Sequence, residues 1–198
     1  MLNYNKYIVE SKRVGLENIS INELISHIYN GNSNKVRQYI SSGFDINKKS
    51  ELGELPLHVA CKSSMLMIVK ILLENGYNVD MFNVFYDNRT ALYYASTNKI
   101  LDLVLDYGAN VNFTDIKGQT PIMFRYNMNR FFSDEKYTLE KMLNKGLNLD
   151  IKDNDGNNLY DILKKKSQNI EIIEYIDQNF PKYKYEWELK QNINNYNI

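Results

Sequence analysis

The stretch from Leu55 to Asp80, LPLHVACKSSMLMIVKILLENGYNVD, decides the fold. Pro56 and Leu57 can open a helix, because proline's fixed φ and missing N–H suit the first helical position, where that donor has no intrahelical partner. Leu57, Ala60 and Cys61 then share one face. After a break at Lys62-Ser63-Ser64, the apolar residues Ile68, Val69, Leu72 and Leu73 recur at i, i+1, i+4 and i+5, the stripe of a second amphipathic helix. Gly76 ends it, since the left-handed backbone just past a helix strains any residue that carries a Cβ. The unit is a helix, a turn, a helix and a glycine stop.

Outward from this stretch the frame repeats. Its opening, Leu55-Pro56-Leu57-His58-Val59-Ala60, returns as Thr90-Ala91-Leu92-Tyr93-Tyr94-Ala95, as Thr120-Pro121-Ile122-Met123-Phe124-Arg125 and, more weakly, as Asn158-Leu159-Tyr160-Asp161-Ile162-Leu163. Its close is better kept, as Gly43-Phe44-Asp45-Ile46-Asn47, Gly76-Tyr77-Asn78-Val79-Asp80, Gly108-Ala109-Asn110-Val111-Asn112 and Gly146-Leu147-Asn148-Leu149-Asp150. Successive glycines stand 33, 32 and 38 residues apart. The chain resembles the ankyrin repeat proteins, whose T-P-L-H-x-A signature opens a unit of about 33 residues and whose units close on G-A-D-V-N. The resemblance implies an all-α ankyrin-repeat solenoid of stacked antiparallel helix pairs joined by short β-hairpin loops. About five repeats are expected, at 20–47, 48–83, 84–115, 116–150 and 151–180. They make one domain over 20–180, between an amino-terminal leader, 1–19, and a tail, 181–198.

Composition bounds what the chain does. Hydrophobic residues make up 43% and charged residues 24%, ordinary for a soluble globular chain. Twenty-four basic residues balance twenty-four acidic ones, so no net field draws in nucleic acid or an anionic membrane. Cys61 is the single cysteine, which rules out an intramolecular disulfide and suits a reducing compartment. Charges at Lys6, Glu10, Lys12, Arg13 and Glu17 leave no apolar run for a signal peptide, and no stretch approaches the ~20 apolar residues of a membrane helix. The expected location is cytoplasmic or otherwise intracellular, delivery into a host cell by a route without a cleavable apolar signal included. Heavy use of Asn, Ile, Lys and Tyr, whose codons are rich in A and T, points to a source such as an intracellular bacterium or a large DNA virus.

Along the chain, Ser20 and Glu23 read as a capping box with Ile19 and Leu24 as its staple, opening a helix that carries Leu24, Ile25 and Ile28. Val36, Tyr39 and Ile40 mark its companion, and His27 reads as structural. Leu55 stands where a capping Thr is expected, a loss of about 1 kcal/mol. The resemblance gives His58 a structural role in hydrogen bonds within and between repeats, and Cys61 reads as a small core residue. In the third repeat, Gly76 to Thr90 is 14 residues where the other connections are 12, and Ala95 to Gly108 is 13 where Ala60 to Gly76 is 16. One hairpin is lengthened, the helix pair after it is shortened, and the turn at Ser96-Thr97-Asn98 must be tight. In the fourth, Arg125 to Gly146 is 21 residues, which puts an extended loop or lengthened turn at 127–135. Arg125 takes the place of a packing Ala, so either the register slips or the stack loosens there. Asp153-Asn154-Asp155-Gly156 reads as a turn and lacks the frame of a calcium loop. Lys164-Lys165-Lys166 reads as the solvated face of a capping repeat, and Tyr183, Tyr185, Trp187 and Leu189, alternating with charges, read as a strand or extended arm. The Asn-rich end after Leu189 reads as disordered.

No phosphate-binding, dinucleotide-binding or nucleophile-elbow motif is present, and His27, His58 and Cys61 do not make a zinc set. No enzyme activity, cofactor or metal is expected. The resemblance implies a protein-binding module that meets another protein through its hairpin tips and the inner faces of its first helices, without nucleic acid or membrane, as a monomer. The alternatives are an adaptor or regulatory subunit of an enzyme complex, or an enzyme whose site lies in the atypical segments. The enlarged finger Met81-Phe82-Asn83-Val84-Phe85-Tyr86-Asp87 is the most apolar connection in the chain, and aromatic residues anchor interfaces at small entropic cost. The expected contact residues are Phe82, Phe85, Tyr86, Asn88, Arg89, Ile116 and Lys117. The competing reading folds Phe82 or Phe85 back over the shortened helix pair.

Overall fold

Ser20 starts the first helix, α1 (Ile21–Tyr29), by accepting from the Glu23 N–H at 3.1 Å, one of the donors that a helix start leaves without an intrahelical partner. The Glu23 carboxylate accepts from the hydroxyl of Tyr39, at 3.0 Å, on the companion helix α2 (Ser33–Ser41). The structure is a computed structural model and describes residues 20–84, 87–128, 134–166 and 169–196, the side chains of 194–196 excepted. The staple residue Ile19 and the leader lie outside the described residues.

Helix pairs follow one another as the periodicity requires. They are α3 (Pro56–Lys62) with α4 (Leu66–Glu74), a four-residue 3-10 helix (Ala91–Tyr94) with α5 (Asn98–Asp106), α6 (Pro121–Asn127) with α7 (Glu135–Asn144), and α8 (Leu159–Lys166) with α9 (Ile170–Asn179); α10 (Pro181–Tyr196) comes last. Two two-residue strands, β1 (Phe82–Asn83) and β2 (Arg89–Thr90), pair in the one sheet among the described residues. The fold class is all-α.

Contacts divide the chain into two compact units that part between Ala109 and Asn110, with Asp87–Arg89 belonging to the second. In the first unit, α1, α3 and the 3-10 helix make one layer and α2, α4 and α5 the other. Leu24, Leu57, Ile68, Leu72, Leu92 and Leu101 fill the space between them. In the second unit α6 packs on α8 and α7 on α9, around Ile122, Leu139, Met142, Leu159 and Ile176.

The repeat closings are clasps. Asp45, Asn78, Asn110 and Asn148 each fold a side-chain oxygen onto the N–H two residues on, at 3.0, 3.1, 2.9 and 2.9 Å. In two of these turns the residue presented reaches the next repeat: Asn47 Oδ1 accepts from the Asn78 N–H at 2.9 Å in the first unit. In the second, Asn112 Oδ1 accepts from the Asn148 N–H and Asn112 Nδ2 donates to the Gly146 carbonyl, both at 2.8 Å.

Departures from the repeat pattern take specific forms. Leu55 makes no capping hydrogen bond and is buried, so the position is filled by hydrocarbon where a hydroxyl was expected. The shortage in the third repeat falls on its first helix, which is wound as 3-10. At about 2.0 Å rise per residue against 1.5 Å, each residue then spans more of the layer, which recovers part of the lost length. The tight turn follows, with Thr97 capping α5 by accepting from the Ile100 N–H at 3.2 Å. At Arg125 the register does not slip. Thr120 caps α6, Pro121 holds its first turn, and the Arg125 side chain is buried, where desolvation pushes its guanidinium pKa down against the opposing influence of Tyr126 and Glu135. The insertion is bounded by Asn127, the last residue of α6, and by Asp134, which caps α7 by accepting from the Tyr137 N–H at 2.8 Å; residues 129–133 lie outside the described set.

Two expectations are overturned in the last repeat and the tail. The segment expected as a strand and a disordered end is the helix α10. Its buried and half-buried residues, Tyr183, Trp187, Lys190 and Gln191, fall at i, i+4, i+7 and i+8, a helical stripe, while Tyr185 and Leu189 face solvent. The lysine run is no free solvated face: Lys164 lies over the Tyr160 and Trp187 rings, Lys165 donates to Asn157 Oδ1, and Lys166 donates to the carbonyls of Tyr126 and Asn127. Asp153 forms the turn read from the sequence, its Oδ1 accepting from the N–H groups of Asp155 and Asn157 at 3.1 and 2.8 Å.

Candidate functional site

The finger is built by alternation. Along Phe82-Asn83-Val84 the outer two side chains are 47% and 58% exposed, while Asn83 is buried and donates to the Gly53 carbonyl, tying the finger to the preceding hairpin. That hairpin turns tightly on Ser50, whose N–H donates to the Glu54 carbonyl at 2.8 Å and whose hydroxyl accepts from the Glu54 N–H at 2.9 Å. It presents Leu52, 78% exposed. These two hairpins therefore display three apolar side chains, Leu52, Phe82 and Val84, and both are tied by hydrogen bonds. Of the residues expected at the tip, Phe85 and Tyr86 lie outside the described residues.

Below the tips the same unit has a shallow depression where Tyr29, Glu54, His58, Lys62, Asn83 and Tyr94 come together. Its polar geometry is partly fixed: the Tyr29 hydroxyl donates to Glu54 Oε1 at 2.6 Å, and the His58 ring is buried 5.8 Å from that of Tyr94. Leu52, Tyr29 and Lys62 were missed in the sequence. Their signal was position alone, a hairpin tip and the ends of two first helices, with nothing in residue type to mark them.

The second unit holds the rest of the expected set. Asp87 and Asn88 adopt left-handed backbone at φ 58° and 59°, a conformation that Asp and Asn enter more readily than most residues. Arg89 is committed to the scaffold. Its side chain, 12% exposed, pairs with Asp87 at 2.7 Å and with the fully buried Asp115 carboxylate at 3.0 Å, and lies 3.9 Å over the Phe124 ring. Asp115 Oδ1 also accepts from the N–H groups of Lys117 and Gln119, at 2.9 and 3.0 Å, so one carboxylate shapes a hairpin and anchors the guanidinium. Ile116 is 55% exposed and Lys117 is exposed; the Ile116 N–H donates to the Asp87 carbonyl at 3.0 Å, and the Lys117 carbonyl accepts from the Asn154 N–H at 2.9 Å. The Ile116 and Lys117 side chains are exposed at this tip, on backbone held by these hydrogen bonds.

The remaining candidate residues are structural in setting. Cys61 is fully buried, which pushes its thiol pKa up, and the His27 ring lies edge-on to Tyr39 at 5.7 Å. Among the described residues no group of three or more His, Cys, Asp and Glu side chains could hold a metal ion, and no helix is long and apolar enough to cross a membrane.

Residues 24–115 match the family described as ankyrin repeats, in three copies. The stretch from 24 to 115 is thus a run of three ankyrin repeats. An ankyrin repeat protein of Acanthamoeba polyphaga mimivirus is 30% identical over 105 residues, 52% of this chain and 14% of that protein. One of Fowlpox virus (strain NVSL) is 28% identical over 114 residues, 56% of this chain and 26% of the relative. An L-asparaginase of Dirofilaria immitis is 31% identical over 110 residues, but these are 18% of that enzyme. The matched stretches thus span between 14% and 26% of the length of these relatives.

Proposed function

We propose that this ankyrin repeat chain is a non-enzymatic protein-interaction module that recognises another protein through its hairpin tips. The observation that carries the reading is the pairing of exposed apolar side chains with pinned backbone. Leu52 and Phe82 on the first unit, and Ile116 with Lys117 on the second, project from turns held by hydrogen bonds, so little conformational freedom is lost on binding. In this reading Phe85 and Tyr86 are further contact residues, while Asn88 and Arg89 set the shape of the tip. The array covers 20–180 with 1–19 and 181–198 as flanks. The viral sources of two matched repeat proteins support a host-directed effector as the special case.

The test is affinity purification of the intact protein from its native cell or host, followed by the same purification with Phe82→Ser and Leu52→Ser. The expected result is a recurrent protein partner that the double variant loses while its thermal midpoint stays within a few degrees of the parent. A partner retained by the variant, or none recovered from either, overturns the reading.

A further inference from the structure

Helix α10 is attached to the last repeat by polar ties more than by apolar burial. Among its described side chains Tyr183 is buried and Trp187, Lys190 and Gln191 are half covered, whereas α8 and α9 bury Leu159, Ile162, Leu163, Ile172 and Ile176. The ties are specific. Lys182 Nζ donates to both oxygens of Asp150 at 3.0 Å, and the Tyr183 hydroxyl donates to Asp150 Oδ1 at 2.8 Å. Lys190 Nζ pairs with Asp161 Oδ2 at 2.7 Å, and Lys164 lies 5.3 Å from the Tyr160 ring and 5.4 Å from that of Trp187.

The surface beneath α10 is built without it. Asp161 and Asn158 cap α8 reciprocally, the Asp161 N–H donating to Asn158 Oδ1 at 2.9 Å and the Asn158 N–H to Asp161 Oδ2 at 3.2 Å. The Tyr160 hydroxyl is held by Asp177 at 2.5 Å, and Asp150 sits in the clasp turn of Asn148. Removing α10 would therefore leave Asp150, Tyr160, Asp161 and Lys164 in place. Salt distinguishes the two kinds of attachment. Screening shortens from about 8 Å at physiological ionic strength to about 3 Å at 1 M, weakening ion pairs, while apolar burial is not reduced.

We propose that α10 is a reversible latch, docked in cis on a preformed site for a helix carrying lysines and aromatic residues, and that a helix of another protein with the same chemistry competes for that site. The surface is separate from the hairpin tips, so the proposal stands or falls apart from the functional reading above.

Trp187 is the single tryptophan of the chain, so its fluorescence reports the docking of α10 directly. In the full chain, raising sodium chloride from about 0.1 to about 1 M should red-shift that emission and speed amide exchange across 183–192 by about ten-fold, with 159–166 and 170–176 unchanged. Exchange of α10 in step with α8 and α9 at every salt concentration would make it a fixed part of the repeat and overturn the latch. A synthetic peptide of residues 181–196 should bind the full-length Lys182→Gln, Lys190→Gln variant about ten-fold more tightly than the parent, whose site is filled. Equal binding to both, or none to either, overturns the competing site. The reversed pair Lys182→Asp with Asp150→Lys should return exchange toward that of the parent; failure to do so counts against the ion pair as a tie.

Discussion

Lys166 closes the end of α6, its ammonium donating to the Asn127 carbonyl at 2.6 Å from 39 residues away. The last carbonyls of a helix lack intrahelical donors and carry the negative end of its dipole, so a cation there satisfies both. Lys166→Met should cost about 1–2 kcal/mol in urea denaturation. Its neighbour Lys165, exposed and bonded to Asn157, is the control and should change stability by less than about 0.5 kcal/mol. Equal effects would mean that the lysines act through net charge.

Gly118 and Gly146 both sit at positive φ, 71° and 86°, but their surroundings differ. A Cβ on Gly118 would lie 2.8 Å from Asn154 Oδ1 and 3.1 Å from the Asn154 nitrogen and Asp153 Cα, whereas one on Gly146 meets nothing within 4 Å. Gly146→Ala should cost the left-handed strain alone, about 1–2 kcal/mol, and Gly118→Ala should exceed it by about 1 kcal/mol as the adjoining hairpin is pushed away. Equal losses in thermal unfolding would show that the contact between the hairpins yields without cost.

Leu55→Thr sets two effects against each other. The hydroxyl would restore a cap worth about 1 kcal/mol. The lost leucine is buried, and full burial of such a side chain contributes about 1.5–3 kcal/mol. The substitution toward the usual repeat residue should therefore destabilise, by about 1 kcal/mol, as read from the denaturation midpoint. A gain in stability would mean that the cap outweighs the burial.

Alkaline pH should unfold the chain through its tyrosines. Burial first, and then the Glu23 carboxylate beside it, push Tyr39 up to about 12; burial likewise raises Tyr77, Tyr126 and Tyr160. A group whose folded pKa is raised binds its proton more tightly when folded, so its stabilisation is complete below the unfolded value near 10 and is lost as pH rises through the folded value. Stability should fall steadily between about pH 10 and 12, read as a falling denaturation midpoint and loss of helical ellipticity. An unchanged midpoint across that range would contradict this. Glu23→Gln should shift the onset for Tyr39 downward.

Local chemistry was legible in the sequence and long-range chemistry was not. The clasp turns could be read because a glycine stop and an Asx turn involve residues two or three apart. Capping by Ser20 follows the same logic. Arg89 looked like a contact residue because its scaffold partners, Asp115 and Phe124, lie 26 and 35 positions away. The lysine run looked solvated for the same reason. Helix α10 was misread because Tyr183, Tyr185, Trp187 and Leu189 alternate strictly. Its helical stripe runs through Lys190 and Gln191, residues that a hydrophobic count passes over. Within the candidate site, the apolar finger left Phe82 open between an exposed contact and a fold back over the helix pair, and the exposure of Leu52 depended on a turn whose geometry residue type alone does not give.

The clasps separate the length of a repeat from its spacing. Asn47 reaches Asn78 across 31 residues at 2.9 Å, and Asn112 reaches Asn148 across 36 residues at 2.8 Å, so five additional residues leave the bond unchanged. Periodicity in such a chain resides in a side chain and a backbone amide, not in the count of residues between them. A lineage can lengthen or shorten a single repeat, as at 127–135 or at the 3-10 helix, without retuning its neighbours, and so vary one recognition element at a time.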